Sequence, residues 1–167
     1  MRTGTDALIS IRRLRGEDRE PLERILKATD MFTAAEVNVA LELIDTFLTD
    51  PHQGDYFIST GVEDDGRVVG YYCIGPAPLT DGTFDLYWIA VDPAAQGAGF
   101  GKQLLHQAEE ETRMMGGRLL IAETSSQAKY VNTRAFYERT GYEVIARIRD
   151  YYKRGDDLVI YGKYVSQ

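Results

Sequence analysis

The sequence has little cysteine: Cys73 stands alone among 167 residues. No intramolecular disulfide can form, and the chain fits a reducing compartment. Cys73 lies in the apolar run Val68 to Ile74 and reads as a small buried hydrophobe rather than a reactive thiol. Histidine is nearly as scarce. His52 and His106 lie far apart without metal-ligand spacing, so no metal is expected. Positive charge is also short, with 19 Lys and Arg against 26 Asp and Glu and a net charge of −7. Such a chain lacks the positive field that binding along a nucleic-acid backbone requires, so no nucleic-acid partner is expected. A local basic pocket for a phosphorylated cofactor remains compatible with it. No stretch approaches the ~18 apolar residues of a membrane span, and no basic segment precedes an apolar one at the N-terminus. A cytoplasmic protein with no membrane partner is the expectation. There is no repeat, low-complexity segment or linker, and residues 1–167 read as one domain.

What the chain does contain is regular. Ile9 to Leu14 reads as a strand, ended by Gly16. Glu17 and Asp18 open a helical stretch with Leu22, Ile25 and Leu26 at helical spacing. Thr33-Ala34-Ala35-Glu36 is a capping box, and the helix behind it carries Val37, Leu41, Ile44 and Leu48 to about Phe47, before Asp50-Pro51. Tyr56 to Val62 and Arg67 to Ile74 flank Asp64-Asp65-Gly66 as a hairpin. A loop with Pro76, Pro78 and Asp81-Gly82 leads to a strand over Thr83 to Val91. A long helix follows from Phe100 to Met115, with Phe100, Leu104, Ala108, Thr112 and Met115 on one face and Glu109 to Glu111 mostly solvated. Leu119 to Ala122 reads as a short strand and Val131 to Arg139 as a short helix stopped by Gly141. Tyr142 to Ile148 and Leu158 to Val165 read as two strands joined by a loop containing Arg154-Gly155-Asp156. The order predicts an α+β fold with a mixed, largely antiparallel central sheet of about seven strands and about four helices.

The strongest local signal is Val91-Asp92-Pro93-Ala94-Ala95-Gln96-Gly97-Ala98-Gly99-Phe100-Gly101-Lys102, between a strand and a helix. Alternate glycines bare the backbone and permit positive φ. The first N–H groups of the helix lack intrahelical partners and carry the positive end of its dipole, which makes an anion site suited to phosphate. A P-loop would need Gly where Gln96 stands and Ser or Thr where Gln103 stands. A dinucleotide fingerprint would need Gly at Lys102 or Leu104, according to register. Neither pattern fits.

Gln96, Gly99 and Gly101 do fit Gln/Arg-x-x-Gly-x-Gly/Ala. With Val91-x-Pro93 before and Leu104-Leu105 after, the segment resembles the acetyl-CoA-binding turn of the GNAT superfamily of N-acetyltransferases. The element order extends the resemblance over nearly the whole chain. It implies acetyl-CoA as co-substrate. Ile89, Ala90 and Val91 would line the pantetheine, and Gln96, Gly97, Ala98, Gly99, Phe100, Gly101 and Lys102 would hold the pyrophosphate.

A second block, Lys129 to Tyr142, resembles the family's helix carrying Phe/Leu-Tyr-Glu-Lys/Arg-x-Gly-Phe/Tyr. Tyr137 falls on the family's general-acid tyrosine, which protonates the departing CoA thiolate. A thiol has a pKa of about 8.5 and a phenol about 10, so that transfer is not steeply uphill. Many relatives have Asn and Ala seven and four residues before this tyrosine; this chain has Tyr130 and Thr133, with Thr133 counted among the cofactor-binding positions.

The reaction implied is attack of a neutral amine on the thioester. A lysine-type amine, pKa about 10.4, is neutral at about the 10⁻³ to 10⁻⁴ level at pH 7, so a general base matters. Glu123, just after the short strand, and Asp85, on the strand before the glycine turn, are the carboxylate alternatives to water. A backbone N–H near Ala90 or Val91 would meet the oxyanion. The resemblance places the acceptor pocket between about Asp30 to Phe47 and Asp150 to Asp157. Asp150-Tyr151-Tyr152-Lys153-Arg154-Gly155-Asp156 faintly resembles a Tyr-Tyr loop of N-terminal protein acetyltransferases. The acceptor implied by the resemblance is a small-molecule or peptide amine, and a homodimer is compatible with the sequence. The rival readings are a non-catalytic acyl-CoA sensor and a GNAT enzyme with a longer acyl donor.

Overall fold

The computed structural model describes residues 7–166. Its elements in chain order are β1 (Ser10–Arg13), α1 (Arg19–Ala28), α2 (Ala34–Thr49), β2 (Phe57–Val62), β3 (Val68–Pro76), β4 (Thr83–Val91), α3 (Phe100–Met114), β5 (Leu119–Ser125), α4 (Val131–Arg139), β6 (Glu143–Lys153) and β7 (Asp156–Tyr164). The strands form one seven-stranded sheet in the order β1-β2-β3-β4-β5-β7-β6. The pairs β1–β2, β2–β3, β5–β7 and β6–β7 are antiparallel, and β4–β5 is parallel. The α+β, largely antiparallel expectation therefore holds. No helix among the described residues is long and apolar enough to cross a membrane.

The chain divides into two compact units, residues 1–74 with 88–108 and residues 75–87 with 109–167. In the first unit, α1 buries Leu22, Ile25 and Leu26, and α2 buries Val37, Ala40, Leu41 and Ile44. They meet Ile58, Tyr71, Cys73 and Ala90 in one apolar cluster. Each large aliphatic side chain buried there contributes about 1.5–3 kcal/mol. The capping box forms: the Glu36 N–H donates to Thr33 Oγ1 at 3.2 Å, and the Thr33 N–H donates to the Glu36 carboxylate at 2.7 Å. Asp18 does not cap α1. Its carboxylate is 1% exposed and accepts from Arg12 Nη1 and Nη2 at 2.7 and 2.9 Å and from the Arg15 N–H at 2.9 Å. Burial alone would raise its pKa, but those donors hold it below the usual carboxylate range.

In the second unit, β5 runs to Ser125, so Glu123 lies inside the strand rather than after it. Tyr151 and Tyr152 also lie in a strand, because β6 continues to Lys153 and turns tightly at Arg154-Gly155. The expected loop is instead an irregularity between Ile148 and Lys153, with Asp150 at φ +54°. Asp157 holds it in register, accepting from Arg147 Nε at 2.7 Å and from the Asp150 N–H at 2.9 Å. β-Favouring tyrosines and this carboxylate clamp carry the strand through a stretch whose charges suggest a loop.

Candidate functional site

The glycine turn comes from the end of β4. Asp92 stops that strand: its N–H donates to the Val69 carbonyl at 2.7 Å, and its carboxylate accepts from the Ala94 N–H at 3.0 Å and from Arg67 Nη2 at 3.1 Å. A short 3-10 turn over Pro93–Ala95 follows. Gly97 and Gly99 then take φ of +85° and +81°, where a Cβ is strained, and Phe100 opens α3. Gly101 lies inside that helix. Phe100 is buried, whereas Gln96, Gly97 and Lys102 face solvent. The first turn of α3 carries no acidic residue, so no side chain of its own answers the dipole there. Its N–H groups and Lys102 leave an open, positively polarised mouth suited to an anionic group.

Upstream of the turn, Ala90 is buried, with Ile89 and Val91 half-buried. β3 approaches this stretch closely. A Cβ on Gly70 would lie 2.4 Å from the Ala90 carbonyl oxygen and 3.3 Å from Val91 Cα. Glycine at position 70 is thus what lets the backbones of β3 and β4 meet. Trp88 stands edge-on to Phe32, centroids 5.0 Å apart.

In the second unit the two candidate bases come together. Asp85 of β4 is opposite Ile121 of β5, and Glu123 is two residues further along β5, on the same face. Glu123 is exposed by surface area, yet partial withdrawal from water at the strand surface, then the charge of Asp85, raises its pKa. Burial also raises Asp85, partly offset by a hydrogen bond with Tyr87. Tyr152 belongs to the same cluster: it is half exposed, and partial burial, then the charge of Glu123, pushes its pKa up to about 12.

Tyr137 sits in a different cluster. It is buried on α4, stacked on Tyr161 with centroids 5.5 Å apart and tilted against Tyr142 at 5.6 Å. Burial raises its pKa well above that of a free phenol, so it stays protonated throughout the neutral range, and giving its proton to a thiolate is more uphill than the free-phenol value implies. Thr133 is half-buried on the same helix. Arg134 ties α4 to the end of β5, donating to the Ser125 and Gln127 carbonyls at 2.7 and 2.8 Å.

A family model described as the acetyltransferase (GNAT) domain matches residues 54–144. A solved structure from Desulfovibrio desulfuricans, assigned to the GNAT family of acetyltransferases, is 42% identical; the match covers 95% of this chain and all of that one, with a TM-score of 0.91. This chain belongs to the GNAT acetyltransferase family. The same fold occurs in yncA from Salmonella typhimurium, solved with acetyl-CoA: 21% identity, 96% of each chain covered, TM-score 0.74. The 5-NmdU N-acetyltransferase of Pseudomonas phage PaMx11 is 34% identical over 82 residues, 49% of this chain and 54% of that protein, so the match spans about half the phage relative's length.

Two features of this GNAT chain escape a reading of the sequence. Glu109 belongs with the acidic run Glu109-Glu110-Glu111, yet it is 3% exposed rather than solvated. It accepts from Tyr142 Oη at 3.1 Å and Lys163 Nζ at 3.0 Å. The helical wheel holds the missed signal: Glu109 follows Leu105 by four residues and precedes Thr112 by three, both buried. Tyr152 is visible in the sequence as half of a Tyr-Tyr pair, but its coupling to Glu123 depends on strand pairing that no local pattern encodes.

Proposed function

We propose that this GNAT protein transfers the acetyl group of acetyl-CoA to a primary amine by direct attack within a ternary complex. The observation that carries the reading is the mouth of α3, where two positive-φ glycines precede a first turn without acidic residues. It offers backbone donors and a positive dipole to the CoA pyrophosphate. The acetyl-CoA bound by the Salmonella neighbour and the N-acetylation for which the phage relative is named support the same donor and reaction.

In this reading Gln96 to Lys102 hold the phosphates, and Ile89, Ala90 and Val91 line the pantetheine, with Thr133 a further cofactor contact. Glu123 takes the amine proton, directly or through a water, as the nitrogen bonds to the thioester carbon. Its raised pKa brings it nearer that of the ammonium it deprotonates, the adjacent Asp85 sustains that pKa, and the proton then passes from Glu123 to solvent. A backbone N–H of Ala90 or Val91 stabilises the oxyanion. When the C–S bond breaks, Tyr137 donates its phenolic proton to the thiolate and is reprotonated from solvent. The products are the amide and free CoA thiol. Tyr87 and Tyr152 beside two carboxylates suit an acceptor that arrives as an ammonium ion.

The test is thiol release from acetyl-CoA across a panel of amines, with calorimetry for CoA binding. Wild-type protein releases thiol with an amine present, and Tyr137→Phe loses at least tenfold in kcat with CoA affinity kept. Absence of CoA binding overturns the donor assignment. Full turnover by Tyr137→Phe overturns the assignment of the acid.

A further inference from the structure

Tyr137 is held between two other tyrosines, each fastened by its hydroxyl to a glutamate of a helix. Tyr142 Oη donates to Glu109 of α3 at 3.1 Å, and Tyr161 Oη donates to Glu138 of α4 at 2.8 Å. The two attachments differ. Glu138 is exposed, so its bond to Tyr161 competes with water. Glu109 is buried and locked in turn by Lys163 of β7. Lys163 Nζ makes three contacts: it donates to the Glu109 carboxylate at 3.0 Å, donates to the Thr140 carbonyl at 3.1 Å, and lies 5.6 Å from the centre of the Tyr142 ring. One lysine thereby joins α3, the end of α4 and the ring that packs on Tyr137.

We propose that Glu109 and Lys163, acting through Tyr142, are positioning residues that fix the Tyr137 phenol for proton donation. The inference rests on Tyr137 being the acid. A buried carboxylate is a costly way to hold a fold together, since well-packed apolar side chains hold it as well or better. Here the polar cluster gives one orientation to the Tyr142 ring, because a charge-assisted hydrogen bond is directional where an apolar contact is not. An acid must be placed to within about half an ångström, and only a supported ring meets that tolerance. Among the described residues, the charged and titratable groups around Tyr137 are Tyr142 and Tyr161, and behind them Glu109, Lys163 and Arg113 on one side and Glu138, Arg134 and Arg147 on the other.

The experiment compares Glu109→Leu, Tyr142→Phe and the double variant in steady-state kinetics from pH 6 to 10.5, with Glu109→Gln as the conservative control. Each single variant is expected to lose about tenfold in kcat, with the acetyl-CoA KM within twofold of wild type. The double variant is expected to be no worse than the singles, because both break one chain of contacts. The alkaline limb of kcat moves to lower pH, since a loosened cage admits water and the burial-raised Tyr137 pKa falls back toward that of a free phenol. Glu109→Gln, which still accepts from Tyr142, restores most of kcat. A merely structural role would scale activity equally at every pH and make the two substitutions additive, and either result overturns the proposal. Tyr137→Phe measured alongside separates the two failures. If it keeps full kcat, the acid assignment falls; if it loses kcat while Glu109→Leu does not, only the positioning role falls.

Discussion

Glu123 and Asp85 stand on neighbouring parallel strands, on one face of the sheet, and the charge of Asp85 raises the pKa of Glu123. If Glu123 is the base, its ionisation sets the acid limb of kcat/KM. Replacing Asp85 by Asn removes a repulsion that disfavours the Glu123 carboxylate. The Glu123 pKa therefore falls, its basic form survives to lower pH, and the acid limb moves to lower pH. Burial is the larger cause of the shift, so the limb should stop short of the value for a free glutamate. A pH profile of Asp85→Asn with a fixed acceptor checks this, and an unmoved limb removes Glu123 from the role of base.

Glu123→Gln should act on activity and stability in opposite senses. It removes the base, so kcat/KM for a lysine-like acceptor falls by about 10²–10³. An acceptor with an α-amine, pKa about 7.8, is already neutral in about one molecule in seven at pH 7 and should lose far less. Stability follows from linkage. The folded-state pKa of Glu123 lies above its unfolded value, so the native state favours the protonated form. That contribution is fully present below the unfolded pKa and is lost as pH rises through the folded pKa. At pH 7 the ionised glutamate is thus a burden that glutamine relieves. The Tm of Glu123→Gln should match or exceed wild type at pH 7, and any advantage should vanish near pH 4. A lower Tm at pH 7 would contradict the raised Glu123 pKa.

The Asp18–Arg12 pair should behave differently, because one partner is wholly buried. Asp18→Ala leaves the Arg12 guanidinium and the Arg15 N–H without their acceptor, and should cost about 3 kcal/mol in urea unfolding. The Asp18 pKa is lowered in the fold, so its contribution is present above the unfolded pKa and is lost as pH falls through the folded one. The gap between wild type and Asp18→Ala should narrow below about pH 4. A gap independent of pH would show that the loss comes from packing alone.

The elements written in local pattern are legible in the sequence. The capping box at Thr33 and Glu36, the Asp-Gly hairpin after Val62, the span of β4 and the glycine turn all depend on residues within a few positions of one another. What is not legible depends on pairing across distance. Asp18 reads as the opening of a helix, because nothing local reveals that Arg12 pairs with it. Glu109 reads as solvated, because its partners Tyr142 and Lys163 lie 33 and 54 residues away. Tyr151 and Tyr152 read as a loop, because the clamp that keeps β6 in register comes from Asp157 on the returning strand. The candidate site follows the same rule: Asp85 and Glu123 can be proposed from the chain alone, while the charge coupling between them requires the sheet.

Gly70→Ala should be the most damaging single methyl in the first unit. The added Cβ meets the Ala90 backbone oxygen at 2.4 Å, and backbone cannot rotate away as a flexible side chain can. Overpacking of this kind typically costs about 1–3 kcal/mol. The displaced stretch, Ala90 to Val91, is the one assigned to the pantetheine. The folded fraction of Gly70→Ala should therefore show a raised acetyl-CoA KM as well as a lowered Tm. A lowered Tm with an unchanged KM would separate this strand from donor binding.

Gly97 allows the conformation of the turn to be tested apart from its space. A Cβ there meets nothing within 4 Å, yet the residue has φ +85°. Gly97→Ala should cost about 1–2 kcal/mol through backbone strain alone. Gly97→Asn should cost less, since asparagine tolerates positive φ better than alanine does. If the turn holds the CoA pyrophosphate through its backbone, relief of that strain in the alanine variant re-aims the N–H groups that follow. The acetyl-CoA KM should then rise in the order wild type, Asn, Ala, with the acceptor KM unchanged. Calorimetry with CoA should give the same order as the kinetics, and with dephosphorylated pantetheine the three proteins should be indistinguishable. A difference that persisted with pantetheine would move the contact from the pyrophosphate to the arm.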